Sequence, residues 1–205
     1  MIVSRPGVTR TDSVTFGNFE WTDNFMSPSL DMEWHTLRGD AAGLYSLSAP
    51  VNHLTLKCSE IPTTEKDVAA FVGRRVQHHN YECTTHMVFE PADTCQHAGL
   101  VVMKDETHQY QFAKSRNDDG NIMVLRKIDE NGSTDIASMP LDADVTGVDL
   151  RLVSKGKSYD FMFSTDRGDT WETLMSGVDA RHTSTAAAGG FTGTLVGLYA
   201  SKTRI

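Results

Sequence analysis

No stretch of this 205-residue sequence is apolar over the roughly 20 residues that a bilayer-spanning helix needs, so no membrane partner is expected. The first residues, Met1-Ile2-Val3-Ser4-Arg5-Pro6-Gly7, lack the apolar run of a signal peptide. None is expected in this chain, and the compartment stays open between cytoplasm, periplasm and exterior. Clusters of Lys and Arg are missing too. The 27 acidic residues outnumber 19 basic ones, for a net charge of −8. Binding a phosphate backbone requires clustered cations, so no nucleic-acid partner is expected. Cysteine is scarce, with only Cys58, Cys83 and Cys95 and no C-x-x-C pair, which leaves no structural zinc motif. A hairpin turn expected near Pro91-Ala92-Asp93 puts Cys95 beside the loop and Cys83 well down its strand, so all three read as free thiols. A chain of this length can bury a sufficient core without disulfides or a metal. Helical periodicity is also lacking in every window of ten or more residues.

What the sequence does contain is β pattern. Short runs rich in Val, Leu, Phe, Tyr and Thr predict strands over 44–47, 54–56, 70–78, 81–89, 98–104, 110–114, 122–128, 134–139, 148–153, 159–164, 172–174 and 195–200. Turn chemistry separates them at Asn117-Asp118-Asp119-Gly120, Asn131-Gly132, Lys155-Gly156 and Asp166-Arg167-Gly168. Alternation is clean in places. Tyr81, Cys83, Thr85, Met87 and Phe89 share one side of their strand, and Tyr159, Phe161 and Phe163 share one side of theirs. That period suits half-buried antiparallel strands. Many short strands without intervening helices point to a sandwich or a barrel. No self-similarity is visible, which argues against a propeller. Residues 1–22 mix Pro, Gly, Thr and Arg and read as a linker or extended arm anchored by Trp21 and Phe25. The domain itself is expected over 23–205.

Four segments carry a resemblance. They are Asn24-Phe25 with Leu30-Asp31-Met32-Glu33-Trp34-His35-Thr36-Leu37-Arg38, then Phe71-Val72-Gly73-Arg74-Arg75-Val76-Gln77-His78, then Ala98-Gly99-Leu100, and finally Gly189-Gly190-Phe191-Thr192-Gly193-Thr194-Leu195-Val196-Gly197-Leu198-Tyr199-Ala200. In this order the chain, over residues 22–202, resembles the C-terminal concanavalin A-like domain of glycoside hydrolase family 43 β-xylosidases and α-arabinofuranosidases. The resemblance implies an all-β fold, a two-sheet antiparallel β-sandwich of the jelly-roll, lectin/glucanase type. It implies a non-catalytic accessory module of a glycosidase that degrades xylan- or arabinan-type hemicellulose. Its partners would be a catalytic propeller domain, which carries the catalytic carboxylates, and a xylo- or arabino-oligosaccharide. In several members a sandwich loop places an aromatic ring beside the sugar. Here Phe191 matches it, flanked by Gly190 and Thr192, in a turn whose glycines free the backbone. The other reading packs Phe191 into the core. Only about 22 residues precede the sandwich in this chain, so it is either an excised domain or a free-standing relative. Two further functions stand beside the accessory one: an autonomous carbohydrate-binding module, or a structural or protein-interaction domain.

Other motifs are weaker. Ser164-Thr165-Asp166-Arg167-Gly168-Asp169-Thr170-Trp171 fits S-x-D-x-G-x-T-W and resembles the Asp box of sialidases, a folding device for a hairpin. Sugar hydrolysis needs two carboxyls facing one sugar. The string Glu65-Lys66-Asp67-Val68-Ala69-Ala70 lacks the last Glu of E-x-D-x-x-E, and the remaining acids fall in turns, so no catalytic residue is assigned. His78 and His79 are neighbours and would point to opposite faces of a strand. His86, His97 and His108 lie on separate segments. No cofactor is required. Sandwiches of this type can pin their N-terminal arm with calcium, for which Glu20 and Asp23 would supply oxygens. Arg74 and His78 are expected on one face of a central strand, with Arg75 and Gln77 on the other. Either these residues fork onto sugar hydroxyls, with Trp34 or Tyr110 stacking on a pyranose, or they pair with acids at the rim or at a propeller interface.

Overall fold

The computed structural model describes Ile2–Val3 and residues 20–203. Thirteen strands are present among them. They are β1 (Ile2–Val3), β2 (Tyr45–Ser46), β3 (Thr55–Leu56), β4 (Phe71–Arg75), β5 (Asn80–Val88), β6 (Gln96–Asp105), β7 (His108–Asn117), β8 (Gly120–Asp129), β9 (Gly132–Pro140), β10 (Gly147–Lys155), β11 (Ser158–Ser164), β12 (Glu172–Asp179) and β13 (Leu195–Lys202). Between β12 and β13 lie a 3-10 turn (Ala180–Thr183) and one four-residue helix, α1 (Thr185–Ala188). The pairs within the sheets are antiparallel. One sheet runs β1-β5-β10-β11-β12, the other β4-β13-β6-β7-β8-β9, and β2-β3 forms a small ribbon. The arm expected over residues 1–22 falls largely outside the described residues. Of it, Ile2–Val3 lies along the free edge of β5, and Trp21 packs edge-on against Trp34.

The two large sheets face each other across an apolar core. Leu100, Phe112 and Leu125 come from the six-stranded sheet, and Leu150, Phe161 and Phe163 from the five-stranded one. The Phe161 ring meets Phe112, Tyr110 and Tyr159 edge-on or tilted, the geometry that aromatic quadrupoles favour. Each such side chain contributes about 1.5–3 kcal/mol by leaving water. The alternation read from the sequence holds: Cys83 and Thr85 point inward, as do Tyr159, Phe161 and Phe163.

The hairpin expected near Pro91-Ala92-Asp93 is instead a crossover between sheets. β5 pairs with β10 and β6 pairs with β7 and β13, so consecutive strands belong to different sheets. Lys114, fully buried, holds the crossover. Its Nζ donates to the Val145 carbonyl at 2.7 Å and reaches Glu90 Oε1 at 3.4 Å, while Asn121 Nδ2 donates to the same Glu90 oxygen. Cys58, Cys83 and Cys95 are free thiols, as expected. Burial pushes the Cys83 thiol up to about 12.

The six-stranded sheet is covered on its second face as well. A largely irregular segment, residues 35–70, lies across it. His35 bridges to Gly73 and Ser59 to Ser201. Leu37, Ile61 and Ala69 pack on Phe71, Val101, Met103, Ala113, Val124 and Tyr199. Thr63 Oγ1 donates to Gln109, and Gln111 donates back to Thr63, so this roof is pinned by buried polar groups with partners. Beneath it the Phe71 ring lies against Gly73 and Gly197, where a Cβ would stand 2.3 and 2.7 Å from ring carbons. Only glycine fits at either place.

Candidate functional site

Phe191 is fully exposed. It stands on a short loop between α1 and β13. Ser184 caps α1 by accepting from the Ala187 amide, and the Gly189 amide closes the helix on the Thr185 carbonyl. Gly189 and Gly190 then follow with φ of 70° and 69°, the left-handed region in which a Cβ is disfavoured. The pair throws the chain outward, which places Phe191 at the tip rather than in the core beside Val196. The loop returns where Thr194 Oγ1 donates to the Thr183 carbonyl and the Thr194 carbonyl accepts from Val76. From below, Lys104 Nζ donates to both the carbonyl and the Oγ1 of Thr192, each at 2.9 Å. An apolar ring on such a tip can stack or pack against a partner but can neither transfer a proton nor hold a metal.

The segment read as a sugar-contacting strand is shorter than expected. β4 ends at Arg75, so Gln77 and His78 lie beyond it and do not share strand faces with the arginines. One further ladder bond, from the Val76 amide to the Thr194 carbonyl, follows Arg75 before the chain leaves the sheet. Arg75, opposite Leu195 at the root of the Phe191 loop, is exposed, as are Gln77 and His78 just beyond it in the chain. Arg74 faces the opposite way, with its guanidinium carbon 3.7 Å from the centre of the Trp21 ring.

Trp34 and Tyr110 do not join them. Trp34 is buried between Trp21 and Phe25, and its indole N–H donates to Asp23 Oδ2. Tyr110 is a core residue whose hydroxyl donates to the Asp179 carbonyl. Neither ring offers a face to a sugar. Asp23 also accepts from the Phe25 amide, while Glu20 is exposed. Among the described residues no group of three or more His, Cys, Asp or Glu is placed to hold a metal ion. The histidines scatter: His86 meets Asp149, His97 lies against Tyr199, and His108 meets Asp105 and His182. Glu65 and Asp67 are exposed ahead of β4. The Asp-box turn forms as expected: Asp166 accepts from the Thr170 amide and hydroxyl and from Ser164, bonds that lower its carboxyl to about 2. Trp171 lies beside Gly168 and carries Arg151 stacked on its ring at 3.7 Å.

Sequence reasoning missed Lys104 and Lys114 as interior lysines. The signal was present. Leu100, Val102 and Lys104 share one side of β6, as Tyr110, Phe112 and Lys114 share one side of β7.

Residues 22–204 match the family of β-xylosidase C-terminal concanavalin A-like domains. A non-reducing end α-L-arabinofuranosidase of Bacteroides ovatus is 28% identical over 180 residues, covering 87% of this chain and 33% of that enzyme. Among solved structures, a family 43 protein of the Bacteroides ovatus xyloglucan locus superposes with a TM-score of 0.82 at 28% identity, over 88% of this chain and 35% of that one. A family 43 protein from a capybara gut metagenome gives 0.82 at 25% identity, over 91% and 36%. A xylan β-1,4-xylosidase from Bacillus halodurans shares the fold at 22% identity, with a TM-score of 0.81 over 95% and 38%. The chain thus spans about a third of the length of these relatives.

Proposed function

Because the chain belongs to the family of β-xylosidase C-terminal concanavalin A-like domains, we propose that it is the accessory sandwich of a family 43 glycosidase rather than the seat of its chemistry. In this reading it docks on a catalytic propeller, stabilises it, and carries Phe191 to the rim of the substrate pocket. There the ring lies against a xylo- or arabino-configured sugar. The exposure of Phe191 carries the proposal. A whole phenyl ring left in water forgoes about 1.5–3 kcal/mol of burial, and the Gly189-Gly190 turn directs it outward. Aromatic rings are enriched in the buried cores of interfaces, so a ring presented outward on a turn suits a contact with a partner. Arg75, exposed at the loop's root, and Gln77 and His78 just beyond it would lie in the same interface.

Two measurements test this. In the enzyme that joins this chain to its propeller, Phe191→Ala is expected to lower kcat/KM about tenfold, mostly through KM, which corresponds to about 1.4 kcal/mol of lost sugar contact. Unchanged kinetics in a folded variant would refute the pocket role. Calorimetric titration of the chain alone with xylo- and arabino-oligosaccharides is expected to be silent. Heat of binding there would instead make it an autonomous carbohydrate-binding module.

A further inference from the structure

We infer that Lys104 is the positioning residue of the Phe191 loop, a buried latch that keeps the ring presented outward. The inference rests on the loop being the pocket-reaching element and names what holds it there. Three observations carry it. First, Lys104 occupies an interior position. It follows Leu100 and Val102 on the core side of β6 and is 6% exposed. Packing alone would favour Leu or Met at this point, since a buried ammonium gives up hydration that an apolar side chain never had. Second, its Nζ forms none of the ion pairs found among the described residues. Among the described residues its bonds go to Thr192 alone, on the carbonyl and on Oγ1. Third, these two are the hydrogen bonds that reach residues 190–193 among the described residues. The flanking bonds stop at Gly189 on one side and Thr194 on the other. A Cβ on Gly190 would stand 3.5 Å from the same Nζ, so the ammonium underlies both ends of the tip. Without Lys104, two consecutive left-handed glycines and a free Gly193 would leave the tip without a polar tether. Because a cationic donor to a carbonyl is worth more than a neutral one, the latch suppresses opening of the tip by roughly tenfold or more.

Chymotrypsin, which cuts after an exposed aromatic residue in a mobile chain, reads this directly on the intact 205-residue protein. The wild type is expected to be cut after Phe191 at least tenfold more slowly than an unstructured peptide of residues 187–196. Lys104→Met is expected to speed that cut about tenfold or more, with cleavage elsewhere unchanged, and Lys104→Arg to restore most of the protection. Should the Met variant not fold, Lys104→Gln serves in the same comparison. Wild-type cleavage as fast as the peptide, or equal rates in wild type and Lys104→Met, would overturn the latch. In the propeller-joined enzyme, Lys104→Met should raise KM as Phe191→Ala does, with Arg restoring it. Faster cleavage together with wild-type kinetics for Phe191→Ala would keep the latch and reject the pocket reading.

Discussion

His97 makes the stability of this sandwich depend on pH within a window that most carboxylates leave alone. It lies under the roof of the six-stranded sheet, 2% exposed, with its ring 5.6 Å from that of Tyr199. Its Nε2 has no hydrogen-bond partner among the described residues. Burial, followed by the charge of Arg126, lowers the imidazole to about 4, against opposing contributions from the Cys95 backbone and Asp135. In the unfolded chain the ordinary value is about 6.5. Between these values the unfolded state binds a proton that the folded state refuses. Stability is therefore whole above pH 6.5 and is lost as the pH falls towards 4. The gap, at about 1.4 kcal/mol per pH unit, amounts to about 3 kcal/mol, of which about 2 is gone by pH 5. Ordinary carboxylates are still ionised there. Urea unfolding at pH 7, 6 and 5, run on the wild type and on His97→Gln, isolates the effect as a difference in slope. Any constant cost of the substitution cancels. The wild type should lose about 2 kcal/mol more than the variant across this range. Parallel lines would refute the reasoning.

Two further outcomes follow from packing. Phe191→Ala in the isolated chain should leave the thermal midpoint within about 1 °C, because the ring touches nothing that folding buries, whereas Phe161→Ala should cost about 3–5 kcal/mol by urea titration. Comparable losses would mean that Phe191 packs inward in solution. Gly197→Ala should destabilise by about 1–3 kcal/mol, since its Cβ would stand 2.6 Å from Gly73 Cα and 2.7 Å from both the Phe71 ring and the Val72 carbonyl. Guanidinium melts that superpose would show that the sheet yields there at little cost.

The strands were legible because alternation and turn chemistry are local. The β7–β8 hairpin illustrates this: the Asn117 side chain accepts from the Asp119 and Gly120 amides, as its sequence suggests. Strand partnership was not legible. Alternation in 81–89 tells which side faces inward but not which sheet the chain enters next, so the crossover after Phe89 read as a hairpin. The roof over 35–70 escaped for a similar reason. It has little periodicity of its own, and only the unbroken apolar run Leu100-Val101-Val102-Met103 in β6 hints at a second layer. Trp34 and Tyr110 looked available to a sugar for want of any sign of what covers them. Phe191 was legible through its glycines and the interior place of Lys104 through alternation in β6, but no local pattern shows that this lysine, 87 residues earlier in the chain, lies beneath the loop.

The position of β13 has a consequence for how the molecule comes to exist. Chain order places it last, yet it lies in the sheet interior, with β4 on one side and β6 on the other. Until Lys202 has left the ribosome, β4 and β6 each show an unpaired edge, and the Phe71 ring has no Gly197 to close over. Pairing across such a separation in sequence is slow, and open edges of this kind invite association between nascent chains. The sheet therefore completes only after synthesis has passed its final strand, and the exposed intermediate before that moment is where a chaperone would have most to do.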